Sequence, residues 1–378
     1  MLLPRALTPI ILDKLKTSPK GIVLYGARQV GKTTLVNELV ASLGQRTLVI
    51  NGDQSRFVDI LSSKDLEKIR SLIEGYELLV VDEAQRIPDI GIGLKIILDN
   101  IPNLKLIVTG SSSLDLASKV SEPLTGRIWT YHLFPISFGE LKITKNRAEL
   151  DASLEERLIY GSYPEIFSLV GDTVKREYLQ NLSDAYLYKD LLEFGGLKNS
   201  TKIRDLLKLL AFQIGSQVSL SEVGGSLGIS KETVSRYIDF LEKSFVIFRL
   251  SGFSRNLRKE VTKMDKIYFY DLGVRNILID NLNFLKDRGD AGQLWENFLI
   301  VERVKKLAYA QMTASSYFWR TYTGAELDYI EDAGGNLAGF EFKFNEKTVK
   351  PPAGWLSTYP NSQFSTVNRK NYLDFILD

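Results

Sequence analysis

The chain of 378 residues is long enough for two or three domains, each able to bury a core of its own. It has no cysteine and one histidine, His132, which excludes disulfides, thiolate zinc sites, iron–sulfur clusters and multi-histidine metal sites and argues against a Ser-His-Asp hydrolase. Lys and Arg number 48 against 46 Asp and Glu, a formal net charge of +2, so a nucleic-acid footprint must be local rather than global.

The opening MLLPRALTPIILDKLK has Pro4, Arg5 and Pro9 interrupting its apolar stretch and does not read as a secretory signal. No run of about 18 apolar residues follows, so no membrane span is expected and the cytoplasm is the expected compartment. Residues 21–26, 47–52, 77–83 and 104–111 are short, nearly continuous apolar runs bounded by turn residues. This is the pattern of buried parallel strands covered by helices, and the expected class is α/β.

GARQVGKT, Gly26 to Thr33, matches G-x-x-x-x-G-K-[ST] after a strand and at the start of a helix. The backbone of Gly26, Ala27, Arg28, Gln29, Val30, Gly31, Lys32, Thr33 and Thr34 is expected to cradle the phosphates of a nucleotide. Lys32 is a point charge for the β- and γ-phosphates, Thr33 a hydroxyl for Mg²⁺, and Arg28 a second phosphate contact. LLVVDEAQ ends a strand in two acids: Asp82 for Mg²⁺ and Glu83 as general base for the attacking water. In TGSSS, Ser111 or Ser112 is expected to sense the γ-phosphate; the same hydroxyls also suit helix capping. Arg127 in LTGR suits either transition-state charge on a neighbouring subunit's nucleotide or a surface ion pair. His132 reads as a core histidine rather than a ligand.

Residues 150–215 carry apolar residues at helical spacing. LSEVGGSLGISKETVSRYIDFLEKS, residues 220–244, reads as helix-turn-helix with Ser230 capping the second helix. Val234, Ile238 and Leu241 form its core face; Lys231, Glu232, Ser235, Arg236 and Asp239 lie opposite. Strands around Arg255, Arg258, Lys259 and Lys263 read as a basic wing. The excess of Lys and Arg suits a phosphate backbone, while Glu232 and Asp239 would repel one, so DNA contact and a rigid protein-docking module both stand.

ELDYIEDAGGNLAGFEFKF, residues 326–344, reads as a hairpin about Gly334-Gly335 in which opposed residue numbers sum to 669. Leu327 then faces Phe342, Tyr329 faces Phe340, and Asp328 faces Glu341 with Lys343 two residues along. Asp328 and Glu341 could share Mg²⁺ or Mn²⁺, Lys343 would stand beside it, and Glu296 on the helix 291–308 could approach. This E…D…E-x-K order is the skeleton of restriction-endonuclease-like nucleases, with Glu341 and Lys343 in the catalytic places. A polar sheet face with a cross-strand pair, or an inactive nuclease fold kept for binding, fits the same residues.

GARQVGKTTL, LLVVDEAQ, TGSSS, LTGR, LFPISFGEL, GSYPEI, YFYDLGVRN, LWENFL, FWRT, ELDYI and FEFKF occur in this order. In them the chain resembles the prokaryotic AAA+-class ATPases that end in a restriction-endonuclease-like domain. The resemblance implies a P-loop ATPase core (1–145), a helical lid (146–199), a winged helix (200–270) and a nuclease-like α/β domain (271–378). It also implies ATP rather than GTP, makes Arg127 more plausible as a finger within a homo-oligomer, and leaves Arg157 and Arg176 as candidates for a second sensor. Two functions follow: a Mg²⁺-dependent ATPase acting on DNA, or an ATP-controlled switch whose inactive nuclease fold docks a protein partner.

Overall fold

The computed structural model describes residues 3–110, 123–184, 200–254, 264–321 and 324–377. The chain divides into two compact units, Leu2–Phe134 with Lys243–Phe245, and Pro135–Glu242 with Val246–Asp378.

In the first unit the apolar runs are strands β1 (Gly21–Tyr25), β2 (Thr47–Asn51), β3 (Leu78–Asp82), β4 (Lys105–Gly110) and β5 (Ile128–His132). They pair in parallel in the order β2-β3-β4-β1-β5. Parallel neighbours need long crossovers, and among the connections are helices α2 (Lys32–Leu43), α3 (Ser55–Ser62), α4 (Leu66–Ile73) and α5 (Ile90–Asn100), with α1 (Leu7–Thr17) ahead of the sheet. Burial follows position: β1 is buried throughout and β3 over its first four residues, whereas the edge strands β2 and β5 are partly open. Leu79, Val81 and Val108 pack with Leu61, Ile69, Leu94 and Ile97 in one core. The registers Tyr25↔Gly110, Tyr25↔His132 and Asn51↔Asp82 bring the carboxyl ends of all five strands to one edge, where loops of an open α/β sheet form binding sites.

The second unit contains α6 (Phe138–Leu141), α7 (Arg147–Tyr160), α8 (Asp172–Leu182), α9 (Ser200–Phe212), α10 (Leu220–Leu227), α11 (Lys231–Lys243), α12 (Leu272–Leu278) and α13 (Ala291–Tyr309), then α14 (Ala353–Thr358) and α15 (Tyr372–Leu377). Its strands are β6 (Ile247–Gly252), β7 (Lys266–Phe269), β8 (Ser315–Arg320), β9 (Glu326–Ala333), β10 (Asn336–Phe342) and β11 (Gln363–Val367), in one mixed sheet ordered β11-β10-β9-β8-β6-β7. β9 and β10 pair from Asn336↔Ala333 to Phe340↔Tyr329, each pair summing to 669. Gly334 and Gly335 turn this hairpin with φ of +62° and +91°, a region open to glycine at no steric cost. Strands β6 and β7 pair antiparallel, and β6 also runs parallel to β8 through Ser251↔Tyr317 and Gly252↔Phe318. These strands are thus continuous with the C-terminal sheet, and the sequence borders near 200 and 270 fall inside the second unit. The alternation along β6 and β7 predicts strands; the pairing of Ser251 with Tyr317 on β8 is a tertiary choice.

Candidate functional site

The phosphate-binding motif leaves β1 and enters α2. Gln29 and Gly31 are left-handed, with φ of 58° and 95°, which curls the loop so that successive amides face inward. Gly26 admits no side chain: a Cβ there would lie 2.4 Å from the carbonyl oxygen of Leu133. Ala27 and Val30 are buried, Arg28 is half-buried, and Gln29, Thr33 and Thr34 are exposed at the mouth. The Lys32 ammonium is buried and donates to the carbonyls of Gly26 and Ala27, both at 2.8 Å. A buried lysine that donates to neutral carbonyls of its own loop can exchange them for the oxygens of an anion. Thr33 Oγ1 donates to Asp82 Oδ2 at 3.2 Å, so the two side chains suited to one hard cation already meet. These residues fit a nucleotide with Mg²⁺.

Asp82 ends β3 and Glu83 follows in a left-handed conformation, φ 51°, strained for a residue with a side chain. Thr109, fully buried on β4, donates its hydroxyl to Asp82 Oδ1 and accepts from the Glu83 amide at 3.3 Å. Gln85, also buried, donates its amide to Glu83 Oε2. Ser111 and Ser112, expected as sensors, lie outside the described residues. The hydroxyl seen beside the two acids belongs to Thr109, in the same TGSSS segment. Strand alternation was the signal for it: Val81↔Val108 in the parallel register sets Asp82 beside Thr109.

Arg127 precedes β5, and its carbonyl accepts from the Gly21 amide at 3.0 Å at the start of β1. Five strand residues, about 16 Å, separate this edge from the phosphate loop, so Arg127 does not reach the loop of its own chain. Its guanidinium holds Asp99 bidentately, Nε to Oδ1 at 2.5 Å and Nη2 to Oδ2 at 3.2 Å. The His132 ring packs tilted against Phe134, with ring centroids 3.9 Å apart. Burial, and then the Lys32 charge, push its pKa down to about 3, so the imidazole is neutral. Arg157 is buried and donates to Gly161 O at 3.0 Å and pairs with Glu156 at 2.8 Å, while Arg176 pairs with Asp280 at 2.5 Å. Both candidate second sensors are thus committed to ion pairs of the second unit.

In that unit the hairpin and α13 bring Glu296, Asp328, Glu341 and Lys343 into one electrostatic neighbourhood. Burial, then Glu296, then Glu341, push the Asp328 carboxyl up to about 8. Asp328 Oδ2 accepts from the Phe342 amide at 2.7 Å, and Lys343 Nζ donates to Glu341 Oε1 at 2.7 Å. Two residues unforeseen from sequence complete the cluster. Lys266 and Tyr268, spaced by two along β7 and so on one face, both donate to Glu296 Oε1, at 3.2 and 2.5 Å. Lys266 also pairs with Glu326 at 2.7 Å. Among the described residues no three His, Cys, Asp or Glu side chains converge as a metal-holding group. The expected trio of Glu296, Asp328 and Glu341 therefore does not form a ready cation cage: Glu296, taken as the third ligand, is held by an ammonium and a phenol instead.

The helix-turn-helix forms as expected. Gly228 is left-handed at the end of α10, and Ser230 Oγ accepts from the Thr233 amide at 3.2 Å. Arg249 on β6 pairs with Asp239 at 2.8 Å and Glu242 at 2.6 Å, which offsets part of their charge, while Glu232, the other acid expected to repel a phosphate backbone, is exposed beside Lys231 at 3.9 Å. Lys231, Arg236 and Lys243 are exposed on α11. Arg255, Arg258, Lys259 and Lys263 lie outside the described residues. No helix among the described residues is long and apolar enough to cross a membrane.

Residues 18–142 match a family model described as an AAA domain. Residues 151–284 and 291–364 match two models described as domains of unknown function, DUF8612 and DUF4143. The chain is 29% identical over 326 residues to the uncharacterized protein Rv2008c of Mycobacterium tuberculosis, covering 85% of this chain and 70% of that protein. It is 26% identical over 309 residues to the uncharacterized protein MJ1544 of Methanocaldococcus jannaschii, covering 76% and 68%. Among solved structures it is similar to the Walker-type ATPase PABY2304 of Pyrococcus abyssi, with a TM-score of 0.48 and 16% identity over 72% of this chain and 94% of that one. The five-stranded parallel sheet and its glycine-rich loop give the first unit an α/β fold resembling P-loop ATPases, in keeping with the similarity of residues 18–142 to an AAA domain.

Proposed function

We propose that this chain is a Mg²⁺-dependent ATPase whose second unit acts on DNA. The observation that carries the first part is the meeting of Lys32, Thr33, Asp82, Glu83 and Thr109 at one edge of a parallel sheet. The curled loop from Gly26 to Thr33 and the start of α2 bind the phosphate chain through backbone amides. Lys32 exchanges its loop carbonyls for phosphate oxygens. Thr33 and Asp82 would hold Mg²⁺, which would supply charge screening for the phosphates. Glu83, positioned by Gln85, takes the proton of the attacking water. Thr109 locks Asp82 and the Glu83 backbone in one arrangement. Arg127 serves a neighbouring copy's nucleotide in a homo-oligomer. The test is phosphate release from ATP and GTP with MgCl₂ beside Lys32→Ala. Turnover by the wild type that Lys32→Ala abolishes is expected; equal turnover in both would overturn the reading.

DNA is favoured as the target because Arg249 offsets part of the charge of Asp239 and Glu242, and Lys231, Arg236 and Lys243 are exposed on the second helix of the helix-turn-helix. Binding to duplex or single strands that weakens with salt is expected, and no affinity at low salt would sink it. A second reading has its own observation. Lys266 and Tyr268 hold Glu296 in a closed, ion-paired cluster, which suits a nuclease-like fold kept for binding a protein partner under ATP control. Plasmid nicking with Mg²⁺ or Mn²⁺, with and without ATP, separates the two: cutting lost in Glu341→Ala and Lys343→Ala supports a nuclease, and no cutting with ATP hydrolysis intact supports the switch.

A further inference from the structure

Arg5 lies in the N-terminal segment that no motif explains. It is 7% exposed, and a buried guanidinium demands good acceptors. Two backbone carbonyls far apart in sequence accept from it: Nη1 donates to Val30 O and Nη2 to Phe134 O, each at 2.6 Å. Val30 sits in the phosphate loop between the left-handed residues Gln29 and Gly31. Phe134 is the residue at which the chain leaves the first unit. α1 sets the arginine in place: Leu7, Ile11 and Leu15 are buried, and Thr8 Oγ1 donates to Glu38 of α2 at 3.4 Å.

The geometry of a peptide plane gives this contact a consequence. In a trans peptide the carbonyl and the following N–H point in opposite directions. Arg5 draws the Val30 carbonyl to one side of the loop, so the Gly31 N–H is aimed to the other. The left-handed residues Gln29 and Gly31 flank the very carbonyl that Arg5 fixes. A charge-assisted hydrogen bond is stronger than a neutral one and directional. The Phe134 carbonyl anchors the other arm of the guanidinium to the end of β5, beside the Leu133 carbonyl that already closes over Gly26.

We propose that Arg5 is a positioning residue of the nucleotide site, setting the Val30–Gly31 peptide plane so that the Gly31 amide is oriented for phosphate before nucleotide arrives. The proposal rests on the ATP-binding reading above. Because it concerns ground-state organisation of a phosphate cradle, removal of the guanidinium should act on affinity more than on the chemical step.

The test uses the full chain, with Mg-ADP titrated calorimetrically and steady-state ATP hydrolysis measured in wild type, Arg5→Ala, Arg5→Lys and Lys32→Ala. Arg5→Ala should weaken Mg-ADP about tenfold and raise KM for ATP about as much, with kcat changed less than twofold, and added methylguanidinium should recover affinity. Arg5→Lys should recover only part, because one ammonium on this stem does not present the planar fork that spans two carbonyls; it also serves if the alanine variant does not fold. A folded Arg5→Ala with wild-type affinity and KM would overturn the proposal. So would lost affinity that methylguanidinium leaves unchanged, which marks a merely structural arginine. Failure of the ATP reading shows separately, as wild-type protein that binds Mg-ADP no better than Lys32→Ala.

Discussion

The hydroxyl of Thr109 on β4 donates to the carboxylate of Asp82 on β3, and the same oxygen accepts from the amide of Glu83 at 3.3 Å. One buried side chain thus fixes both the acid suited to Mg²⁺ and the backbone of the acid suited to activating water. Thr109→Val keeps the shape of the side chain and removes the hydroxyl. We expect kcat for ATP to fall about tenfold to a hundredfold, with Mg-ATP affinity within about twofold of wild type. Single-turnover hydrolysis beside equilibrium binding checks this. The unpaired Asp82 lone pair should also cost about 1 kcal/mol of stability.

Lys32 and Glu83 should separate binding from chemistry. Lys32→Ala removes the charge that meets the phosphates and should abolish measurable nucleotide binding. Glu83→Gln keeps size and hydrogen bonding but cannot take a proton, so it should bind Mg-ATP like wild type and hydrolyse it at least about a hundredfold more slowly. Gln85→Ala frees the Glu83 carboxylate it now holds and should fall between the two. Fluorescent-nucleotide binding and ADP production, measured on the same preparations, distinguish these outcomes.

Asp328 gives a stability prediction with a definite sign. Its carboxyl ordinarily titrates near 3.8 and is pushed up to about 8 in the folded protein, by burial first and then by Glu296 and Glu341. Below about pH 4 folded and unfolded chains are both protonated there and nothing is lost. Between pH 4 and 8 the unfolded chain ionises freely while the fold resists, so metal-free protein loses stability as pH rises through that window. Asp328→Asn has no proton to lose and can still accept from the Phe342 amide. Its melting temperature should exceed that of wild type at pH 9 by about 5 °C, with the difference shrinking toward pH 5. A difference that grows on acidification would contradict this account.

Arg127 stands at the sheet edge opposite the phosphate loop, paired with Asp99. If it serves a neighbour's nucleotide, Arg127→Ala and Lys32→Ala should each be inactive alone. Mixed in equal amounts they should regain about a quarter of wild-type turnover, since some interfaces then join an intact loop to an intact arginine. Asp99→Ala should leave turnover intact. Steady-state assays at matched total concentration, with the oligomer followed by light scattering, provide the check.

The two halves of the chain differed in how far their residues could be read. The loop of Gly26, Gly31, Lys32 and Thr33 between a strand and a helix was legible because its pattern is local: eight consecutive residues carry the curled backbone, the charge and the hydroxyl, and β1 and α2 need only flank them. The hairpin of Asp328 and Glu341 was legible for a similar reason, since two glycines set the register from 669-sum pairs outward. Thr109 was hidden behind three serines in TGSSS, and only the pairing of β3 beside β4 distinguishes its hydroxyl from theirs.

By itself, the order of residues determined the α/β class, the strand positions, the two helices and turn of residues 220–243 and the glycine-rich loop between β1 and α2, because periodicity and turn chemistry act over a few residues at a time. Only the tertiary structure decided that β6 and β7 join the C-terminal sheet, that Lys266 and Tyr268 take hold of Glu296, and that Arg5 grips the phosphate loop. Each of these joins side chains or strands 25 to 129 residues apart, or elements with the same local pattern but different partners. Contacts at such separation are selected by burial and by the need to satisfy every buried charge, and those constraints exist only once the sheets have assembled.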